Sequence, residues 1–459
     1  PVRFAHAVVI SDERKIFEGL VDLEASKISK WEQLHGAQPI ITSDELVSVE
    51  HGCRKDLKVV EQCIISGTIG YDERFGSSRG LQQELMYYRP DVDNNQYQYR
   101  LNFCLIWDPV TEEVITIDMP KVRRPLVKTR PLDYHHLAIG WEGEYRKDLK
   151  PINITQPQGV SFKVAGRELE WQNWKFHIGF NYREGLVFKD ITFNNKGSGR
   201  TIFYSMSVVE MVVPYGNPDF PHQRKRAFDL GEYGGVYLTN SLALGCDCKR
   251  SIYYLAPYFP TLHGEARKIK NAICIHEEDD GILFKHTDFG DDSTIVTCAR
   301  RLIAQQVFTA ANYEYAIAWV FHQDGTIPPD SKLTGILNIY VLNADEDTHG
   351  WVIEVHKGVN AHNHQHLFCL HINPNLDGAN NSVHMIDTFP SDAPSAERFP
   401  GSCLRKSPWF GTVLDSLGML PMSLNTGVIS RGLLETTFLR HLAYQLNHRV
   451  DWRWHSVGR

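Results

Sequence analysis

The chain has 459 residues, 42% of them apolar and 22% charged, which fits a folded globular protein and excludes a disordered, collagen-like or coiled-coil one. Lys and Arg number 48 against 55 Asp and Glu, so the net charge of −7 gives no global basic field to draw the chain onto nucleic acid or anionic lipid. No apolar run approaches the ~18 residues of a membrane-spanning helix, and the start Pro1-Val2-Arg3-Phe4-Ala5-His6 is neither a signal peptide nor an initiator Met, which reads as a soluble fragment.

Phe17, Gly19, Val21 and Leu23 alternate with Glu18, Leu20, Asp22 and Glu24, which predicts a strand; a turn at Ala25-Ser26 sends Lys27 to Trp31 back as its partner. Thr42 followed three residues later by Glu45 is a capping box, and Leu46, Val49, Leu57 and Val60 share a face if Gly52 is absorbed, so a helix follows. Strands at 101–107 and 114–117 complete a small α+β domain over residues 1–120. Lys121 to Pro131 is basic and proline-punctuated, the composition of a solvated linker, here 121–150. From Pro151 onward short apolar runs such as Gly185 to Phe188, Ile202 to Tyr204 and Ile336 to Tyr340 are split by Gly, Asn, Pro and Asp. That rhythm predicts a mainly β fold, a large antiparallel sandwich over 151–397 with no long helix, leaving 398–459 as a tail of unknown structure.

The 21 histidines hint at a metal. In His362-Asn363-His364-Gln365-His366, residues two apart share one face of a strand, so His364 and His366 could present two imidazoles to one copper or zinc ion. Two surface histidines are the plain alternative, and His362 is in phase with both. Tyr313, in Asn312-Tyr313-Glu314-Tyr315, reads from spacing alone as a core tyrosine with a satisfied hydroxyl. Asp229, between Phe228 and Leu230, is either a structural carboxylate at a strand end or, if burial raises its pKa, a base. Nine cysteines are too few for a disulfide scaffold and favour an intracellular setting. Cys246, Cys248 and Cys274 make a poor thiolate metal site and a better disulfide; a Cys248 to Cys274 bond would close a loop worth roughly 3 to 4 kcal/mol on the chain-entropy model.

Together these segments resemble the copper-containing amine oxidases, the topaquinone quinoproteins that oxidise primary amines. The resemblance runs from the N-terminus to about Pro394. It rests on the stretch from Glu170 to Gly185, Val213-Pro214-Tyr215-Gly216, Asp229-Leu230-Gly231-Glu232-Tyr233, Gly245-Cys246-Asp247-Cys248, the stretch from Asn271 to Gly281, Asn312-Tyr313-Glu314-Tyr315 and Asn363-His364-Gln365-His366. It looks closest to the microbial, peroxisomal branch, which is similar in carrying Ala227 and Glu314.

The resemblance implies a role for each matching residue. Tyr313 is the precursor of topaquinone, the electrophile toward the amine; Asp229 is the base that takes the α-proton; Tyr215 holds a quinone oxygen, and Asn312 orients the ring. His364 and His366 are two of three copper(II) ligands, which leaves His362 as a neighbour behind them or a surface residue, and Cys248 with Cys274 is the family disulfide. The reaction implied consumes a primary amine and O2 and yields aldehyde, ammonia and hydrogen peroxide. The family is a homodimer, and a peroxisomal location goes with the branch, although no targeting signal is visible.

The match breaks after Ser391 to Pro394. The family's further part of the sandwich, which carries the third copper histidine, has no counterpart in Arg398 to Arg459, and His441, His448 and His455 are the only histidines there to replace it. The expectation for this chain is therefore divided between an active oxidase and an inactive or truncated homologue, aberrant at both ends, with exposed sandwich edges and poor solubility.

Overall fold

The structure, a computed structural model, describes residues 2–56, 62–68, 72–76, 80–88, 95, 97, 99–124, 148–390, 403–406, 409–412 and 426–430, except for single positions at 12, 123, 246, 262 and 263. It begins with an antiparallel meander of Phe4–Ile10, Ile16–Asp22 and Lys27–Leu34. The turn falls where the sequence predicts it: Ser26 takes a φ of 51°, and Asp22 Oδ1 accepts from the backbone N–H groups of Glu24 and Ala25, both at 2.9 Å.

The helix Ser43–Asp56 has the predicted box, with Thr42 N–H donating to Glu45 Oε2 at 2.7 Å and Glu45 N–H to Thr42 Oγ1 at 3.2 Å. Gly52 sits inside this helix because Trp107 packs on it: a Cβ there would come 2.1 Å from the indole. Val49 and Trp107, each 1% exposed, form the core of this unit; Leu57 and Val60 lie outside the described residues. The helix lies against a four-stranded antiparallel sheet of Gln62–Thr68, Gln82–Tyr88, Tyr99–Asp108 and Glu113–Asp118. Of the predicted linker, 125–147 lies outside the described residues. Arg124 departs from the solvated reading, since its guanidinium pairs with Glu346 and lies 4.7 Å over the Tyr340 ring.

Two antiparallel sheets make the larger unit. One runs Arg226–Phe228, Ser198–Pro214, Gly185–Asn195, Trp174–Asn181, Glu168–Trp171 and Lys163–Ala165, with Leu367–Pro374 also pairing to Ser198–Pro214. The other runs Tyr253–Leu255, Ile273–Thr287, Thr294–Ala310, Tyr313–His322 and Pro329–Gly335. Period-two alternation decides which faces meet: Trp174, Phe176 and Ile178 point inward while Lys175 and His177 point out. Phe176 stacks on Phe321 of the other sheet at 4.3 Å, and Trp171, Phe188 and Trp319 fill in around them. Buried Glu277 is satisfied by Trp171 Nε1–H at 3.0 Å and the Ser161 N–H at 2.7 Å, as a buried carboxylate requires.

Two features depart from a plain β rhythm. A helix, Asp229–Tyr237, interrupts the β rhythm and is itself broken at Gly234, whose φ of 76° no helix accommodates. The run Ile336 to Tyr340 is not one strand: Pro329–Gly335 stops at Gly335, and Ile339–Val341 joins a separate sheet with Val359–His362 and Val352–His356. Gly335 makes the break, because its φ is +104° and a Cβ there would lie 2.6 Å from the Asn312 carbonyl oxygen.

The small unit is clamped onto the larger one by ions. Arg224 donates to Asp72 at 2.9 Å and to Asp118 at 2.6 Å, and Arg74 bonds the same two carboxylates. Beyond the sandwich, Ser382–Pro390 pairs with Cys403–Lys406, Trp409–Thr412 and Thr426–Ser430, so part of the expected tail is strand. His441, His448 and His455 lie outside the described residues. Among those described, no helix is long and apolar enough to cross a membrane.

Candidate active site

Tyr313 opens the strand Tyr313–His322 just after a turn at Ala311, whose φ is 53°. Asn312 locks that turn: its Nδ2 donates to the Ile336 carbonyl at 2.5 Å, and the Ile336 N–H returns to the Asn312 carbonyl at 2.7 Å. The small unit adds a third tie, Tyr97 O–H to the Ala311 carbonyl at 2.7 Å. Tyr313 is thereby held with its ring buried, and Tyr315, two residues on, shares its face.

Both rings meet the histidines. Val359–His362 ends just before them, and His364 and His366 lie in the short connection to Leu367–Pro374, with His364 in an isolated antiparallel bridge to Tyr215. The expectation of a strand carrying the whole triplet on one surface is corrected accordingly. His362 is buried at 2% exposure rather than surface-lying, and its carbonyl accepts from His364 Nδ1 at 2.8 Å. That bond puts the His364 ring proton on Nδ1, so Nε2 carries a lone pair and accepts the Tyr313 O–H at 2.8 Å. His366 Nδ1 meets the Tyr315 hydroxyl at 2.9 Å.

Such an imidazole, oriented through Nδ1 with a free lone pair on Nε2, has the form a metal ligand needs. The two rings are 4.9 Å apart, and burial keeps both neutral by pushing their pKa values down, that of His366 to about 4. These residues fit two positions of a copper site, with the Tyr313 hydroxyl beside them. Among the described residues no group of three or more candidate ligands is present.

Asp229 is the first residue of its helix, not the end of a strand. The helix N-terminus favours an ionised carboxylate. Burial works the other way and wins: the carboxyl is 5% exposed, and its pKa is raised well above the usual value first by desolvation and then by Glu232 and Glu210. Asp229, Tyr215, Asn312 and Tyr313 all line one cavity. Tyr215 stacks on His364 at 4.8 Å with the rings 18° apart, which joins the histidines to that cavity.

Tyr315, Lys225 and the small unit's Gln83 and Leu85 also line the cavity and were not anticipated. Tyr315 was within reach, since its place two residues from Tyr313 puts it on the same strand face. Lys225 carried no signal. Cys248 and Cys274, the pair the resemblance implies as a disulfide, are brought together, both buried in one cluster with Leu242. The neighbouring Cys274 thiol is the main cause of a lowered Cys248 pKa.

Comparison with known proteins follows the same outline. The copper amine oxidase enzyme-domain model matches residues 163–409, and the copper amine oxidase N3-domain model matches 47–136. Copper amine oxidase 1 of Schizosaccharomyces pombe is 51% identical over 421 residues, 88% of this chain and 59% of the relative. The peroxisomal primary amine oxidase of Pichia angusta is 48% identical over 439 residues, 91% of this chain and 63% of the relative. The crystal structure of a copper-containing benzylamine oxidase from Hansenula polymorpha superposes with a TM-score of 0.78 at 28% identity, covering 89% of this chain and 66% of that one. The chain thus spans about three fifths of the length of these curated relatives.

Proposed function

The chain belongs to the copper amine oxidase family, and from that premise we propose that the whole protein oxidises primary amines with O2 to aldehyde, ammonia and hydrogen peroxide. The observation that carries this reading is the convergence of Tyr313, Asp229, Tyr215 and Asn312 on one cavity, with His364 bonded to the Tyr313 hydroxyl. His364 and His366 would hold copper. With copper bound there, Tyr313 is the residue that would give rise to topaquinone, which would supply an electrophile and a two-electron sink.

The chain's own groups supply the rest. Buried Asp229, a stronger base than an exposed carboxylate once ionised, takes the α-proton of an amine held over Tyr313. Tyr215, stacked on His364 and lining the cavity with Tyr313, would hold the Tyr313 oxygen and limit where that ring can turn. Asn312, tied at both ends to Ile336, keeps the backbone of the turn fixed. The apolar far half of the hairpin Ile273–Thr287 and Thr294–Ala310, with Phe289 99% exposed and Ile282 and Ile295 also open, supports a homodimer that covers it. The similarity to the peroxisomal primary amine oxidase of Pichia angusta supports a peroxisomal location.

A second reading, an inactive homologue, draws on the absence of a third ligand among the described residues. Peroxide release on adding a primary amine to the copper-loaded chain separates the two. Release that Asp229→Asn abolishes supports the oxidase; no release from folded, copper-loaded protein supports the inactive homologue.

A further inference from the structure

A second, small cavity lies between the small unit and the segment Pro221 to Lys225, lined among others by Gln83, Arg100, Asn102, Cys104, His222 and Lys225. Its chemistry is one-sided. Arg100 donates to Asn338 Oδ1 at 3.0 Å and to His222 Nδ1 at 3.3 Å, both neutral acceptors, and among the described residues no carboxylate pairs with it. An arginine only donates, so His222 Nδ1 is the acceptor and its ring proton sits on Nε2. That N–H is buried with no partner.

Lys225 Nζ is buried without a partner as well, 4.0 Å from the centre of the Tyr215 ring. The His362 ring, 5.1 Å from that of His222, adds two more unpartnered nitrogens beside the cavity, one a donor and one an acceptor in the neutral ring. The charges acting on His222 are Arg100, Arg124 and Lys225; the acids that act on Cys104 at the far wall are Glu84 and Asp118, the latter already paired with Arg74 and Arg224. Buried donors without acceptors are costly, and native interiors fill such places. A cation is excluded by the local charge. Water would satisfy single donors but leave the Arg100 charge uncompensated.

We infer that this pocket binds a small monovalent anion of halide size, held by Lys225 Nζ and His222 Nε2–H in the field of Arg100. His222 donates through Nε2–H as a neutral ring, so the site does not depend on protonating a histidine. Lys225 lines both cavities, which places the anion against Tyr215 and next to the amine cavity without making it part of the copper site. The inference is independent of whether Tyr313 becomes a quinone.

Crystals of the chain soaked in sodium bromide, with diffraction data at the bromine edge, test it. The expected result is an anomalous peak within hydrogen-bonding distance of both Lys225 Nζ and His222 Nε2 that falls to background in Lys225→Met, a variant close in length and volume. A water at that place with no anomalous signal, bromide on surface residues only, or a peak that persists in Lys225→Met would overturn it. Should Lys225→Met fail to fold, Arg100→Gln provides the second arm: bromide occupancy must drop with the charge removed, and undiminished occupancy overturns the site.

Discussion

At the histidine end of the cavity the polar groups are paired off, Tyr313 with His364 at 2.8 Å, His364 with the His362 carbonyl at 2.8 Å and Tyr315 with His366 at 2.9 Å. At the other end Asp229 is buried with two further acids, Glu232 and Glu210, as the charges acting on it. The first end is defined by geometry, the second by an unfavourable environment that makes a carboxyl hold its proton. A metal site needs the former, since ligand direction decides affinity, and a general base benefits from the latter. Damage at the two ends should therefore look different: loss of a component at one, a shifted pH response at the other.

The largest effect is expected at the histidine end. His364→Ala removes a lone pair and the anchor of the Tyr313 hydroxyl together, so copper retained after dialysis, read by metal analysis, should fall by about 10- to 100-fold or more. Copper retention equal to the unmodified chain would detach His364 from the metal.

Next comes Asp229→Asn. Amine oxidation should drop by roughly 10²- to 10⁴-fold, the usual worth of a positioned base. Stability should move the opposite way. The folded carboxyl has a raised pKa, so it binds its proton more tightly folded than unfolded; its contribution is fully present below the unfolded value and lost as pH rises toward the folded one. At neutral pH the buried acid is a liability that Asn lacks, so the melting temperature of Asp229→Asn should equal or exceed that of the parent, with the advantage disappearing in acid. A lower melting temperature at neutral pH would contradict the burial argument. In the parent, turnover should climb with pH as Asp229 ionises.

Gly335→Ala should act at the geometric end without touching a ligand. With φ at +104° and a Cβ 2.6 Å from the Asn312 carbonyl, it forces the Asn312 turn to shift, at a cost of about 1 to 3 kcal/mol in a melting experiment. Slower phenylhydrazine labelling of Tyr313 should accompany it. Thr42→Ala, distant from both ends, should lose about 1 kcal/mol of stability by removing the helix cap and leave turnover unchanged. A change in turnover there would mean that the ends are not separable from the small unit.

Much of this was legible because local chemistry decided it. The Thr42 and Glu45 cap, the inward alternation of Trp174, Phe176 and Ile178, and the turn at Ser26 need no distant residue. Tyr313, Asp229, His364 and His366 stood out by motif. Their bonding did not: period-two spacing occurs in an extended connection as well as in a strand, so the spacing alone misplaced His364 and His366. Lys225 and His222 were invisible for a different reason. The stretch Pro221 to Arg226 carries no motif, and His222, Arg224 and Lys225 in it are buried because Asp72, Asp118 and Gln83 of the small unit close over it through Arg224. That burial is tertiary and leaves no local pattern.

The central claim, that Tyr313 is placed to become the electrophile, is tested most directly by incubating the chain aerobically with copper, titrating it with phenylhydrazine and locating the labelled peptide by mass. The account predicts one label, on the peptide carrying Tyr313. No label at Tyr313 in folded, copper-loaded protein would contradict it.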